Sequence, residues 1–324
     1  MGENLRSKLV DQILISKAFV GAVESGVPIL DSLDTLANMF ETYKDKFEFV
    51  RDKFALGNSI YNSIIDYDKD HKSTKFTSDF NQAISAGEST GALDIILEKM
   101  GGLFRSKINM LDLGADEKLL DNHSFYSSVA TLIDSGVPLI PIFDSMTKFS
   151  DEGFTVAVKE VRDEIARGGS FANALKKHPS YFSEFEINLI SLGEMTGSLD
   201  LTAQKIANSY EINLKLAEKI ELKEVYNKVN FYYFFSTLIN VGIPIIPCLE
   251  MLEKSNTYLP DNVLVSIREG IESGKTLAEL LPEFPTYFSK FDCNVIAAGE
   301  RGGILDTGIK RIYEFYQTEF ELKI

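Results

Sequence analysis

An eight-residue phrase occurs three times in this chain of 324 residues. It reads GESTGALD at 87–94, GEMTGSLD at 193–200 and GERGGILD at 299–306. The interval is the same in both steps, since 193 − 87 and 299 − 193 both equal 106. A phrase that returns at a constant interval predicts repeated copies of one structural unit. We therefore expect the chain to fold as three similar structural units, one for each copy of the phrase.

The similarity between the second and third copies extends far beyond this phrase. When 125–200 is laid on 231–306 without a gap, 27 of the 76 positions are identical. The first copy keeps the opening of the unit and departs from the others in its middle. We therefore predict three domains, 1–114, 115–215 and 216–324.

Within each copy, apolar residues are spaced as on one face of a helix. In FYSSVATLIDSG, for example, Phe125, Val129, Leu132 and Ile133 share a face. The same interpretation gives about six helices per copy, and no segment shows the alternation typical of a strand. The sequence predicts an all-α protein made of three tandem antiparallel bundles.

A Gly-x-Pro corner follows the first predicted helix of every copy. Glycine can take the left-handed conformation that ends a helix, and proline suits the start of the next one because it has no amide hydrogen. The corner residues are Gly26 and Pro28, Gly136 and Pro138, and Gly242 and Pro244.

The repeated phrase predicts a second corner. We expect its first glycine to end or kink a helix, its threonine, Thr196 in copy two, to cap the next helix, and Asp200 to lie in that helix's first turn. The second glycine either lets two helices approach closely or has a positive backbone angle. The glycines are Gly87 and Gly91, Gly193 and Gly197, and Gly299 and Gly303.

Each phrase also contains a glutamate that neither capping nor packing obviously requires. These residues are Glu88, Glu194 and Glu300. Two interpretations stay open: a solvated or locally hydrogen-bonded carboxylate, or a contact for a basic residue of a partner. We take the three glutamates as candidate partner-binding residues.

Charge and cysteine content restrict the partners and the compartment. Acidic residues outnumber basic ones by 48 to 33, and the resulting charge of −15 makes nucleic acid an unfavourable partner. Two cysteines in a chain of this length are typical of a reducing compartment. Because the N-terminus also lacks the pattern of a signal peptide, we predict a cytoplasmic protein.

No segment has the 20 or so consecutive apolar residues that a membrane span needs. The most apolar stretch is 231–252, and Asn240, Pro244 and Pro247 interrupt it. We predict that this stretch forms buried helices at a corner, and that the five aromatic residues at 231–235 belong to the core.

Metal and cofactor motifs are incomplete. Asp66, Asp68 and Asp70 are spaced as in a calcium loop, but His71 stands where that loop requires glycine and Thr77 where it requires glutamate. A solvated acidic loop with at most weak calcium binding is the prediction. Other metal-ligand spacings, nucleotide-binding loops and nucleophile–base motifs are not found, so we expect neither a cofactor nor an enzyme.

The combination of motifs resembles the type II secretion system F domain family. The resemblance depends on the Gly-Val-Pro corner, on GGSFANAL at 168–175 and SGKTLAEL at 273–280, and on the GExxGxLD phrase. It covers nearly the whole chain. The family's domain is a six-helix cytoplasmic bundle, and its members usually carry membrane spans that this chain does not show at the corresponding places.

The resemblance implies a non-enzymatic platform or scaffold of a type II secretion or type IV pilus-like machine. Its partners would be the assembly ATPase and other machine proteins, with self-association among the possibilities, at the cytoplasmic face of the inner membrane. The alternative is a soluble adaptor or regulator that uses the same repeats to bind unrelated proteins, with weak calcium binding at the acidic segment.

Overall fold

The computed structural model describes residues 2–71, 75–146, 151–217, 219–255 and 258–324. Within these ranges the chain forms α-helices, short 3₁₀ turns and connecting loops, without a strand. The predicted all-α class is therefore confirmed.

Within the described ranges, six α-helices fall in each copy, as the sequence predicts. Copy one contains α1 (Gly2–Glu24), α2 (Ile29–Met39), α3 (Lys44–Ala55), α4 (Ile60–Asp70), α5 (Ser78–Thr90) and α6 (Leu93–Asp112). Copy two contains α7 (Glu117–Asp134), α8 (Leu139–Ser145), α9 (Glu152–Ala166), α10 (Phe171–Leu175), α11 (Glu184–Thr196) and α12 (Leu199–Lys215). Copy three contains α13 (Ile220–Asn240), α14 (Ile245–Ser255), α15 (Asp261–Glu272), α16 (Leu277–Leu280), α17 (Lys290–Gly302) and α18 (Leu305–Lys323).

Packing divides the chain into two compact units. The first unit consists of 1–174 and 199–214, and the second of 175–198 and 215–324. Copy one lies wholly in the first unit and copy three in the second, while the helices of copy two are shared between the units. The boundaries at 114/115 and 215/216 stay a prediction.

The Gly-x-Pro corners join the first and second helices of each copy. Gly26, Gly136 and Gly242 have φ values of 80°, 80° and 85°, in the region that favours glycine. Pro28 and Pro138 occupy the N-cap positions of the helices that follow. A residue with a Cβ atom would be strained at each glycine, which explains why the corner repeats.

The second glycine of the GExxGxLD phrase ends the fifth helix of each copy. Gly91, Gly197 and Gly303 are left-handed C-caps with φ of 71°, 69° and 69°. The expectation for the threonine is wrong in copy two, because Thr196 is the last residue of α11 and its hydroxyl donates to the Leu192 carbonyl.

The first glycine of the phrase lies inside the fifth helix and does not end it. A Cβ atom on Gly87 would lie 2.6 Å from the Leu93 Cα, and one on Gly299 would lie 3.1 Å from the Leu305 Cα. This glycine therefore allows the fifth and sixth helices to approach closely, the role that we had considered for the second glycine.

The aromatic run at 231–235 belongs to the core of the second unit. Phe231, Tyr232, Phe234 and Phe235 are buried in α13, and the Tyr232 ring stacks on Tyr316 of α18 at 5.7 Å. The predicted core role is confirmed. Helices long and apolar enough to cross a bilayer are not found in the described part of the chain.

Candidate functional site: glutamates at helix starts

Glu300 of copy three binds the beginning of a neighbouring helix. Its two carboxylate oxygens accept hydrogen bonds from the Leu277 and Ala278 amides, at 2.8 and 2.9 Å. These are the first two amides of α16, which have no acceptor within their own helix. The glutamate on α17 therefore ties α16 to α17.

Glu88 of copy one makes the same contact. Its carboxylate oxygens accept from the Ile60 and Tyr61 amides of α4, at 2.6 and 2.7 Å. Although the middle of copy one differs most in sequence, the geometry of this contact is preserved.

The third amide of each helix is bound by the N-cap side chain. The Ser59 hydroxyl accepts from the Asn62 amide at 3.0 Å, and the Thr276 hydroxyl accepts from the Glu279 amide at 3.2 Å. All three leading amides thus have an acceptor. A carboxylate at this position also interacts favourably with the positive end of the helix dipole.

These contacts give the phrase glutamate an internal role. Glu88 and Glu300 are half-buried, and both oxygens of each are used within the protein. Glu194 of copy two is half-buried as well. Hydrogen bonding to backbone amides describes Glu88 and Glu300, but the amides belong to a helix start 28 and 23 residues away and not to the neighbouring loop. The partner-binding role stays a prediction.

Replacing Glu300 or Glu88 by glutamine is expected to lower the free energy of unfolding by about 1–3 kcal/mol, because a charged acceptor of two amides is lost. Urea unfolding followed by circular dichroism measures the change, since the chain contains no tryptophan for fluorescence.

The matched control is Glu98→Gln, at an exposed glutamate on α6. We expect a change within about 0.5 kcal/mol there. If Glu300→Gln had as small an effect as the control, the capping role would be contradicted.

The segment with Asp66, Asp68 and Asp70 is helical, so the predicted acidic loop is wrong. All three residues lie in the last turns of α4. Side chains two positions apart on a helix point in different directions. Asp66 pairs with Lys69, and Asp68 pairs with Lys46 at 2.7 Å. Calcium binding at these residues has no support from this geometry.

Buried carboxylates also occur at the start of the fifth helices. In copy one, Asp79 pairs with Lys107 of α6 at 2.6 Å. In copy three, the Tyr316 hydroxyl donates to Asp292, which is fully buried, and the Lys228 ammonium lies 3.7 Å away. Burial is the main cause that raises the pKa of Tyr316. These pairs join the fifth helix to its neighbours.

A serine, a histidine and a glutamate meet inside the first unit. The Ser106 hydroxyl donates to Glu211 at 2.5 Å and lies 2.9 Å from His123 Nε2. In a catalytic triad the histidine lies between the serine and the carboxylate, whereas here the serine lies between the other two. Burial lowers the pKa of His123 to about 4, with the charge of Lys107 acting in the same direction. The cluster is arranged as a partly buried polar contact among α6, α7 and α12.

The described ranges contain no group of three or more His, Cys, Asp or Glu residues that could hold a metal ion. Sequence reasoning did not identify Lys46, Lys107 or His123. Their residue types and their spacing in the sequence do not indicate a role, because each of them contacts a partner on another helix.

Taken together, tandem six-helix units with a glycine corner and a carboxylate-capped helix define a repeated helical-bundle protein. The chain belongs to the family described as Type II secretion system (T2SS), protein F, whose model matches residues 15–111, 125–234 and 231–324. Three matches agree with the three copies in the sequence.

The similar curated proteins carry secretion and pilus names. The chain is 33% identical over 120 residues to the type IV pilus assembly protein PilC of Pseudomonas aeruginosa, a match that covers 37% of this chain and 32% of that protein. It is 22% identical over 298 residues to PilC of Myxococcus xanthus, covering 62% and 71%. It is 28% identical over 89 residues to the type II secretion system protein F of Vibrio cholerae, covering 27% and 22%.

Proposed function

We propose that this chain is a non-enzymatic scaffold of a type II secretion or type IV pilus-like assembly machine. The observation that carries the proposal is the threefold family match, which spans most of the chain. The names of the similar proteins, pilus assembly protein PilC and secretion protein F, place them in such machines.

The proposed partners are the assembly ATPase and other subunits of the machine, met in the cytoplasm at the inner membrane. The structure supports a mechanical role, because polar contacts join neighbouring helices in copies one and three. Glu88 and Glu300 tie the fourth helix to the fifth, and Asp79 ties the fifth to the sixth. A force applied to one helix is transmitted to its neighbours through these contacts.

The partner contact is proposed at the surface around Glu88, Glu194 and Glu300. Each of the three glutamates is half-buried, so part of the residue is exposed to solvent. A lysine or arginine of the partner could bind the outer lone pairs while the amides hold the inner ones.

Binding to the cognate assembly ATPase can be measured by calorimetry with the full chain. We expect Glu300→Gln to weaken binding by about 10-fold, since one charged contact contributes about 1.5 kcal/mol. Thr276→Val is the matched control, because it removes a hydrogen bond from the same helix start and leaves the carboxylate in place.

The two variants separate a partner contact from a capping effect. Equal weakening by both would show that the glutamate acts only by holding α16, and would contradict the site. If the wild-type chain bound neither the ATPase nor any other subunit of the machine, the scaffold proposal itself would be wrong.

A further inference from the structure

The same helix–helix contact occurs at both internal junctions between copies. In the first unit α5, the fifth helix of copy one, packs on α7 and α8, the first two helices of copy two. In the second unit α11, the fifth helix of copy two, packs on α13 and α14, the first two helices of copy three. The fifth helix of one copy therefore receives the first two helices of the next.

One stripe of the fifth helix is buried in copy one, partly buried in copy two, where Leu189 and Leu192 are buried and Phe185 and Asn188 half-buried, and open in copy three. Its four positions are spaced i, i+3, i+4 and i+7, so they share a face. In copy one all four residues are buried. In copy three three of the four are exposed and the valine is half-buried. The stripe consists of Asp79, Gln82, Ala83 and Ala86 in copy one and of Phe291, Asn294, Val295 and Ala298 in copy three.

The open stripe belongs to an apolar patch. Phe291 is 38% exposed, and its ring packs against Phe315 of α18 at 4.6 Å, which is itself 49% exposed. Ile304, between the two helices, is 54% exposed. A cluster of large apolar side chains in water is typical of an interaction surface.

The complementary face is open on copy one. Leu14 of α1 is 49% exposed, whereas its counterparts Ser124 and Asn230 in copies two and three are 1% and 8% exposed. Val10, one helical turn earlier, is 36% exposed, whereas its counterpart Leu120 is 4% exposed. The first helix is thus covered wherever a preceding copy packs on it.

The internal junction shows which residues would meet. In the first unit the Ser124 hydroxyl lies 3.5 Å from the Asp79 carboxylate. Leu14 is the counterpart of Ser124, and Phe291 is the counterpart of Asp79. A contact of the same geometry between two molecules would therefore place exposed Phe291 against exposed Leu14, an apolar pair.

We propose that a second copy of this chain covers these faces, so that the fifth helix of copy three in one molecule packs on the first helices of copy one in another. The interface is head-to-tail, because the two surfaces are different. Repetition of such a contact closes into a ring or extends as a filament. The repeat inside the chain then continues from molecule to molecule.

Sedimentation velocity over a concentration series of about 5–200 µM tests the proposal, a range suited to an interface of a few helices. The wild-type chain is expected to sediment faster as its concentration rises. Ala298→Arg places a charge on the copy-three face, and Leu14→Arg places a charge on the copy-one face. Each variant is expected to weaken self-association by at least about 10-fold. The matched control Ser266→Arg, at an exposed position of α15, is expected to behave as wild type.

Mixing the two interface variants gives the sharpest result. Ala298→Arg keeps an intact copy-one face, and Leu14→Arg keeps an intact copy-three face. An equimolar mixture is therefore expected to form a dimer that neither variant forms alone. A wild-type chain that stays monomeric throughout, or a mixture that stays monomeric while wild type associates, would overturn the proposal. So would a loss of association in one variant only, which indicates a symmetric interface.

Discussion

Lys46→Met is expected to lower the free energy of unfolding by about 3–5 kcal/mol, the effect of leaving a buried charge without its partner. The Lys46 side chain is fully buried, and its ammonium lies 2.7 Å from a carboxylate oxygen of Asp68, which is 7% exposed. The ammonium also lies 4.1 Å from the ring centre of Phe76. Methionine matches the length of the stem but leaves the carboxylate in an apolar environment.

Two controls separate the charge from the packing. Lys69→Met, on the same helix as Asp68, removes an exposed partner of Asp66 and should change stability by less than about 1 kcal/mol. The double variant Lys46→Met/Asp68→Leu should recover most of the loss, since it buries no charge. A double variant as unstable as Lys46→Met would show that shape, and not the unpaired carboxylate, causes the loss.

The pKa of Lys46 is lowered by burial, and the hydrogen bond and charge of Asp68 oppose this shift. Removing Asp68 alone therefore leaves a buried lysine that can lose its proton, so that no charge has to stay buried. Asp68→Leu should accordingly destabilise the protein by less than the full cost of an unpaired buried charge.

The second large effect is expected from His123 in acid. Burial lowers the pKa of His123 to about 4, while the charges of Asp79 and Glu211 oppose this shift. In the unfolded chain the imidazole binds its proton near pH 6.5. The unfolded state therefore binds more protons between these values, and stability falls as the pH falls. From pH 7 to 4.5 the loss is about 2.5 kcal/mol.

His123→Gln isolates this contribution from the other groups that titrate in the same range. The free energy of unfolding of wild type should fall more steeply with acidification than that of the variant, by about 2.5 kcal/mol at pH 4.5. Ser106 can still donate to Glu211 in the variant. Parallel pH profiles for the two proteins would contradict a buried, neutral imidazole.

The acidic segment shows where local sequence reasoning fails. Asp66, Asp68 and Asp70 have the spacing of a loop, but α4 continues through them and Asp68 is used by Lys46 of α3. A lysine 22 residues earlier in the chain gives no sign that it will be a partner. Lys46 becomes the partner of Asp68 because α3 packs on α4, and no short sequence pattern predicts that packing.

The role of the repeated glutamate could be predicted only in part from the sequence. Its recurrence was evident from the sequence, and hydrogen bonding to amides was one of two interpretations. The acceptor role depends on a helix start 28 residues away in copy one and 23 residues away in copy three. A Ser or Thr N-cap before that helix was the available signal in the sequence. Which glutamate binds which helix start is decided only by the tertiary structure.

The amino-acid sequence by itself determined the three copies, the six helices in each and the glycine corners. Helical period and left-handed glycines are properties of a few neighbouring residues, so they can be read without knowing the rest of the fold. Tertiary structure alone decided which charges are buried in pairs, which glutamate holds which helix, and which faces remain open on copies one and three. Those features depend on side chains that are distant in the chain and become neighbours only when the helices pack.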